Sequence, residues 1–228
     1  KKYQIMGAGS LPGFEPKRVA VLIPAYNEEK YLPSTIWGLK SAGFEKIYVA
    51  DDASADGTAQ VALTSGAVLL SSERNLGKGG ILNFALPKVD EEVICLIDAD
   101  LGESSREAVK LANAVFQGAD LAVARFRSKG GFGLVRRAAT FLLFCFTGKL
   151  FKAPLSGQRA AKRDVWAKLM PFAPGFSVEV AMLKRACRLG LKVAEVPVEM
   201  TDRSYGRGIK GITHRFKQLL AVIRGLTS

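Results

Sequence analysis

The sequence predicts an α/β domain, a mostly parallel sheet flanked by helices. Three observations predict it. Short runs of Val, Ile, Leu and Ala recur through residues 18–124, three of them followed directly by Pro24, Asp51 and Asp98. Between them lie stretches with apolar residues at helical spacing. Strand and helix alternate five times, as in a doubly wound parallel sheet. Such a sheet offers a ligand crevice beyond the carboxyl ends of its strands, where the strand order reverses. Tyr26, Asp52 and Asp98 fall at such ends.

Each element has its own signal. Residues 18–23 read as the first buried strand, which Pro24 is expected to stop. Leu32, Ile36 and Leu39 keep helical spacing, and Gly43 suits the position just past that helix. Residues 46–50 form a second strand ending in Asp51-Asp52. A helix then runs to about Ser65, and residues 67–70 are a third strand. Asn75-Leu76-Gly77-Lys78-Gly79-Gly80 opens another helix. Val93-Ile94-Cys95-Leu96-Ile97 is an unbroken apolar run, expected to be a strand buried on both faces. Ser104 or Ser105 is expected to cap a helix reaching about Gln117, and residues 121–124 are the fifth strand.

Beyond residue 124 the alternation loosens. Residues 125–133 read as a basic, Gly-rich loop. Residues 134–150 read as a helix carrying Phe141-Leu142-Leu143-Phe144-Cys145-Phe146. Residues 154–159 are a loop before another short helix, and Gly175-Phe176-Ser177 leads into a helix over about 178–189. Residues 193–198 are a strand, placed near an edge by Pro197. Residues 201–211 read as a mobile loop and 214–224 as a closing amphipathic helix. Residues 1–17, Gly- and Pro-rich without periodicity, are expected to be a flexible arm. Residues 18–228 then form a single domain with an 18–124 half and a 125–228 half.

Composition narrows the function. At 48% hydrophobic and 24% charged residues, the 228-residue chain has an ordinary globular balance and length for a sizeable core. No apolar run approaches the ~20 residues needed to span a bilayer, and no signal peptide is recognised. Cys95, Cys145 and Cys187 are odd in number, far apart and set among apolar residues. They suit buried thiols in a reducing compartment better than disulfides or zinc ligands. Residues 1–124 carry a net −4 and residues 125–228 a net +16. That asymmetry calls for an anionic partner on the second half. Nucleic acid, an acidic membrane surface and a phosphorylated small molecule all satisfy it.

Asp98-Ala99-Asp100 directly follows the most apolar strand. Side-chain alternation would put the two carboxylates on one side, with no cation near in sequence to pair with them. Such a pair can hold a divalent metal, which takes oxygen ligands and shares itself with substrate phosphates. A solvated turn would also explain it. Lys78, among flexible glycines, can reach a diphosphate or simply begin a helix at the surface. Asp51 and Asp52 could merely begin a turn.

Four motifs occur in order: Val21-Leu22-Ile23-Pro24-Ala25-Tyr26-Asn27-Glu28, Asp51-Asp52-Ala53-Ser54-Ala55-Asp56-Gly57-Thr58, Asn75-Leu76-Gly77-Lys78-Gly79 and Asp98-Ala99-Asp100. Together they resemble the nucleotide-sugar glycosyltransferases of family 2, with their Rossmann-like GT-A fold. Glu195-Val196-Pro197 and Asp202-Arg203-Ser204-Tyr205-Gly206 resemble polyprenyl-phosphate sugar transferases such as dolichol-phosphate mannose synthase. Pro154-Leu155-Ser156-Gly157, Gly175-Phe176-Ser177-Val178-Glu179 and His214-Arg215 resemble glucosyl-3-phosphoglycerate synthases. The match to either branch is partial.

The resemblance implies roles. Pro24, Ala25 and Tyr26 would flank the base, Glu28 would lie near the ribose, and Asp52 would accept a base hydrogen bond. Gly77, Lys78, Asp98 and Ala99 would complete the donor site, for a UDP- or GDP-sugar with UDP-glucose favoured. Asp100 would hold Mn²⁺ or Mg²⁺, a Lewis acid on the diphosphate, and Asp98 would serve the ribose or the metal shell. His214, the only histidine, is either a structural residue or a third metal ligand. Glu179 is a general base, an orienting group, or a carboxylate stabilised at a helix start. An acceptor that is already an anion needs no base.

The acceptor is expected to be a polyprenyl phosphate or a small phosphorylated acid. It would bind Arg125, Arg127, Arg136, Ser156, Gly157, Arg159 and Arg203, since guanidinium forks suit phosphate. Residues 141–146, if exposed, would favour the lipid; buried core is the default. A homodimer and a cytoplasmic or peripheral inner-membrane location complete the expectation, with no nucleic acid bound. The rivals are a nucleotidyltransferase on sugar phosphates, whose basic Gly-rich signature is replaced here by Pro24-Ala25-Tyr26-Asn27-Glu28, and a nucleic-acid-binding module.

Overall fold

The structure is a computed structural model describing residues 14–126, 133–172 and 178–201, side chains 133–136 and 138 excepted. Seven strands form one sheet: β1 (Val19–Ala25), β2 (Lys46–Asp51), β3 (Val68–Ser71), β4 (Val93–Leu96), β5 (Leu121–Phe126), β6 (Arg159–Lys162) and β7 (Val193–Val198). Their order is β3-β2-β1-β4-β6-β5-β7. Every pair is parallel except those of β6, which is antiparallel to both β4 and β5.

Strand alternation builds two cores. Val19, Val21 and Ile23 face α1 (Leu32–Ser41), α2 (Thr58–Thr64) and α4 (Ala108–Phe116). Ala20 and Leu22 face α3 (Gly77–Ala85), α5 (Gly133–Thr147), α6 (Arg163–Leu169) and α7 (Val178–Arg188). The result is three layers, helix–sheet–helix, with β4 buried throughout. Trp166 ties α6 to the sheet by donating its indole N–H to Ile94 O at 3.0 Å.

Several expectations are corrected. Pro24 does not stop β1, which continues to Ala25. Leu22 O accepts from Ile97 on the β4 side, and Ala25 O accepts from Asp52 on the β2 side. Alternation then turns the Pro24 nitrogen toward β4, beyond that ladder's last pair, Leu22 with Leu96. No ladder bond is lost. Neither Ser104 nor Ser105 caps α4. Both lie in a 3-10 turn, Gly102–Glu107, pressed against α1, and Ser105 donates instead to Thr35 O at 2.8 Å. Arg125 and Phe126 belong to β5, and Gly133 already belongs to α5. Residues 159–162 form a strand, not the end of a loop. Phe14 packs edge-on against Phe44 at 5.0 Å, so the first segment is anchored from residue 14. Cys95 is buried, with its thiol pushed up to about 12 by burial, but Cys145 is exposed.

β7 is an edge strand, as Pro197 indicates. Among the described residues no helix is long and apolar enough to cross a membrane.

Candidate active site

The sheet order reverses beside β1: the chain runs to β2 and β3 on one side, then to β4 on the other. The carboxyl ends of β1 and β4 therefore open the crevice expected of this topology. Pro24, Ala25 and the half-exposed Tyr26 leave β1 there.

The loops around the crevice are laced together. Asn27, in the left-handed region at φ 56°, donates its N–H to Ser54 Oγ, and its Oδ1 accepts from Ala55 N. Glu28 N–H donates to Thr58 Oγ1 at 2.8 Å. Asp52, nearly buried, accepts Leu76 N–H at 2.7 Å and Gly77 N–H at 2.9 Å, one on each oxygen. It thus satisfies free amides at the start of α3 and sets a carboxylate against the positive end of the helix. Gly77, at φ 70°, makes the turn that starts the helix, and Lys78 follows.

Lys78 is the hub of the crevice. Its Nζ lies 2.9 Å from Asp98 Oδ1 and 2.8 Å from Glu179 Oε1. Burial opposes its charge, but the two carboxylates prevail and hold its pKa above the ordinary lysine value. The other Asp98 oxygen accepts Gln158 Nε2 at 2.6 Å, and Gln158 Oε1 accepts Ser156 Oγ at 3.1 Å. No cation is near Asp98 in sequence, yet it is ion-paired, by a lysine twenty positions earlier. Alternation explains why. Ile94 and Leu96 face the α3 and α7 layer, and Asp98 continues their phase. Asp100 does not follow from the alternation, because β4 ends at Leu96 and residues 99–100 form a turn.

Pro24, Lys78, Asp98, Gly157, Arg159 and Glu179 line one small cavity, with Leu82, Leu96, Ile97, Val178 and Met182. Arg159, expected on an acceptor surface, is instead buried in β6 at 1% exposure. Its strand is paired along both edges, by β4 and by β5. Its Nε donates to Ser156 O at 3.0 Å, Nη2 reaches Pro154 O at 3.4 Å, and Nη1 has no partner among the described residues. Burial lowers its pKa to about 10, partly offset by Glu179 and Asp98, so it is cationic at neutral pH.

Arg125 stands at the carboxyl end of β5, on the same edge of the sheet. Arg136 is in α5, with its side chain undescribed. Arg127, Arg203, His214, the loop expected at 201–211 apart from Thr201, and the helix expected at 214–224 lie outside the described residues. The default of a buried α5 is corrected: Leu143 faces the core, but Phe141, Phe144 and Phe146 are exposed, as is Leu150 just beyond. Gln158 and Thr35 were not singled out in the sequence. Gln158 sits inside the loop expected at 154–159, directly after Ser156-Gly157, and that position is its only sequence signal. Nothing local marks Thr35.

The profile of Glycosyl transferase family 2 matches residues 20–177, more than half of the chain. The chain belongs to that family. It is a glycosyltransferase with the GT-A fold. It is 30% identical to polyprenol monophosphomannose synthase of Mycolicibacterium smegmatis, over 88% of this chain and 84% of that protein. It is 29% identical to undecaprenyl-phosphate mannosyltransferase of Micrococcus luteus, over 83% and 86%. Among solved structures it resembles glucosyl-3-phosphoglycerate synthase of Mycobacterium tuberculosis, with a TM-score of 0.78, 28% identity, and 92% of this chain and 80% of that one covered. That structure holds Mn²⁺, UDP-glucose and phosphoglyceric acid, and another of the same enzyme holds Mg²⁺ and UDP.

A divalent metal in this crevice would need oxygen donors from the chain. Among the described residues no group of three His, Cys, Asp or Glu could hold one. Asp98 has both oxygens engaged by Lys78 and Gln158. Asp100, half-buried in the following turn, supplies the hard oxygen donor that Mg²⁺ or Mn²⁺ takes. Such ions are commonly held by one or two carboxylates, with substrate phosphates and waters completing the shell. The residues fit that mode.

Proposed function

We propose that this glycosyltransferase moves a sugar from a nucleotide-sugar donor, UDP-glucose favoured, to a polyprenyl phosphate at a membrane surface. The observation that carries the transfer chemistry is Lys78 beneath the switch point, fixed between Asp98 and Glu179. A diphosphate leaving there would gain negative charge beside a preorganised cation. Asp100, with His214, would hold the metal; when bound, Mn²⁺ or Mg²⁺ neutralises the diphosphate as a Lewis acid.

The acceptor phosphate oxygen forms a bond to the anomeric carbon. The bond from that carbon to the diphosphate breaks, and its electron pair leaves with the diphosphate. No proton moves, because the nucleophile is already an anion. Glu179 is therefore assigned to holding Lys78 rather than to base catalysis. Tyr26, Glu28 and the Pro24-Ala25 backbone serve base and ribose. Asp52 serves the donor chiefly by fixing Leu76 and Gly77. Arg125, with Arg127, Arg136 and Arg203, meets the acceptor phosphate, with Ser156 and Gly157 beside it.

The lipid acceptor is favoured by α5. Phe141, Phe144, Phe146 and Leu150 are exposed beside Arg137, Lys149 and Lys152. Apolar area next to cations suits an anionic bilayer. The second reading, a small phosphorylated acid, is favoured by the likeness to glucosyl-3-phosphoglycerate synthase.

The test is transfer from UDP-glucose and GDP-mannose, with Mn²⁺ or with EDTA, to polyprenyl phosphate in vesicles or to 3-phosphoglycerate. Metal-dependent transfer to the lipid supports the proposal. Transfer to 3-phosphoglycerate alone replaces it by the second reading. Pyrophosphate release from a nucleoside triphosphate and a sugar phosphate would overturn both. His214→Ala is expected to weaken Mn²⁺ binding in calorimetry with nucleotide present; unchanged affinity returns His214 to a structural role.

A further inference from the structure

We infer that Thr35 is the positioning residue of the Asp98–Asp100 turn and sets metal affinity through that turn without touching substrate. The inference rests on the proposed metal-holding role of Asp100.

Thr35 lies in the second turn of α1, on the face of the sheet opposite Lys78 and Glu179, and has no exposed surface. Its hydroxyl donates to Ala99 O at 2.7 Å and accepts Gly102 N–H at 2.9 Å. Those two backbone groups bracket Asp100 and Leu101. The hydroxyl also lies 3.4 Å from Tyr31 O, too far to compete for its one proton. Ser105 Oγ in turn donates to Thr35 O at 2.8 Å.

This bracket replaces a ladder that has ended. β4 makes its last pair at Leu96, so Ala99 and Gly102 have no strand partner. Ala99 is 4% exposed, and solvent has little access to it. Thr35 is the group that meets both needs. The fit behind it is tight. A Cβ at Gly38, one helical turn on, would stand 2.9 Å from Glu103 O, so α1 is held close to the turn.

Packing alone does not require this hydroxyl. Leu32, Ile36 and Leu39 on the same helix are buried and apolar, and valine has the shape of threonine. The hydroxyl is needed for the geometry of the turn that carries Asp100. Divalent ions of this kind demand well-placed oxygens, and groups that orient a ligand typically change metal affinity by about 10–100-fold when removed.

The experiment compares wild type, Thr35→Val, Thr35→Ser and Asp100→Asn. Mn²⁺ binding is titrated by calorimetry with saturating UDP or GDP, whichever binds wild type, below the melting temperature of every variant. Thr35→Val is expected to weaken Mn²⁺ by at least about tenfold, with Thr35→Ser within about threefold of wild type. A staple without this role would lower only the melting temperature. Loss of Mn²⁺ binding in Asp100→Asn with wild-type affinity in Thr35→Val overturns the inference. Wild-type Mn²⁺ affinity in Asp100→Asn, or failure of wild type to bind metal with either nucleotide, overturns the reading of Asp100 instead. If Thr35→Val does not fold, Thr35→Cys replaces it. Its thiol is a weak donor, so affinity equal to that of Thr35→Ser would overturn the inference.

Discussion

Gly157 sits so close to Asp98 that a Cβ at position 157 would stand 2.5 Å from Asp98 Oδ2. It would also stand 2.8 Å from Lys78 Nζ. The loop of the second half is thus packed directly on the donor motif of the first. No rotamer change at position 157 relieves such a contact, since a Cβ has none.

Gly157→Ala is expected to push Asp98 away from Lys78 and Gln158. Turnover should fall at least about tenfold, since a misplacement of about 1 Å can cost about 100-fold. Melting temperature should change little, because the crevice can open toward solvent. Steady-state kinetics and a thermal melt check this; wild-type kcat would mean that the loop moves freely.

Lys78→Met is expected to lower kcat by about 100-fold or more, the usual cost of removing one preorganised charge-stabilising group. It also leaves Asp98 and Glu179 facing each other without their cation. The pH dependence follows from the sign of the Lys78 shift. A lysine whose folded pKa is raised contributes stability that is fully present below its unfolded pKa of about 10.4 and is lost only as pH rises through the higher folded value. The melting difference between wild type and Lys78→Met should therefore stay flat from pH 6 to about 9.5. A difference that shrinks by pH 9 would show that the pair does not hold the lysine charged.

Asp52→Ala is expected to destabilise the fold by about 1–2 kcal/mol, because it removes both acceptors at the start of α3. At this chain length each kcal/mol corresponds to about 2–4 °C in Tm. Asp52→Asn, which keeps one acceptor oxygen, should lose less. The donor KM should rise in parallel, since Gly77 and Lys78 follow the helix start. A raised KM with unchanged stability would place Asp52 on the base instead.

The parts legible in the sequence share one property: their signal is local. β1 to β5 are apolar runs, and four loop motifs sit at the ends of β1 to β4. β6 has no such signal. Arg159-Ala160-Ala161-Lys162 is four residues long, with two small side chains between cations, and is a strand only because β4 and β5 pair with it. Lys78 meets Asp98 across 20 positions and Glu179 across 101, contacts that no spacing rule joins. The +16 of the second half was legible as a total, yet it did not separate buried Arg159 from exposed Arg137. Residues 141–146 are apolar in either surrounding, and only the packing of α5 tells Leu143 from Phe141.

That packing leads to the membrane. Phe141 and Phe144 are three residues apart on one face of α5, 65% and 44% exposed, while Ala139 and Leu143 on the other face are buried. Phe146 also lies 5.4 Å from the ammonium of Lys184, a buried residue of α7. Replacing Phe141 and Phe144 with serine therefore leaves the core of α5 intact. Wild type is expected to float with vesicles containing anionic lipid at low salt and to be released at high salt, where the cations are screened. The double variant should partition at least about tenfold less, since each phenylalanine contributes about 1.5–3 kcal/mol when fully buried in an apolar phase. Its transfer to polyprenyl phosphate in vesicles should fall by a similar factor, while its affinity for the nucleotide stays unchanged. Wild type that does not float even at low salt would remove the bilayer from the reaction, and the soluble phosphorylated acid would take the lipid's place.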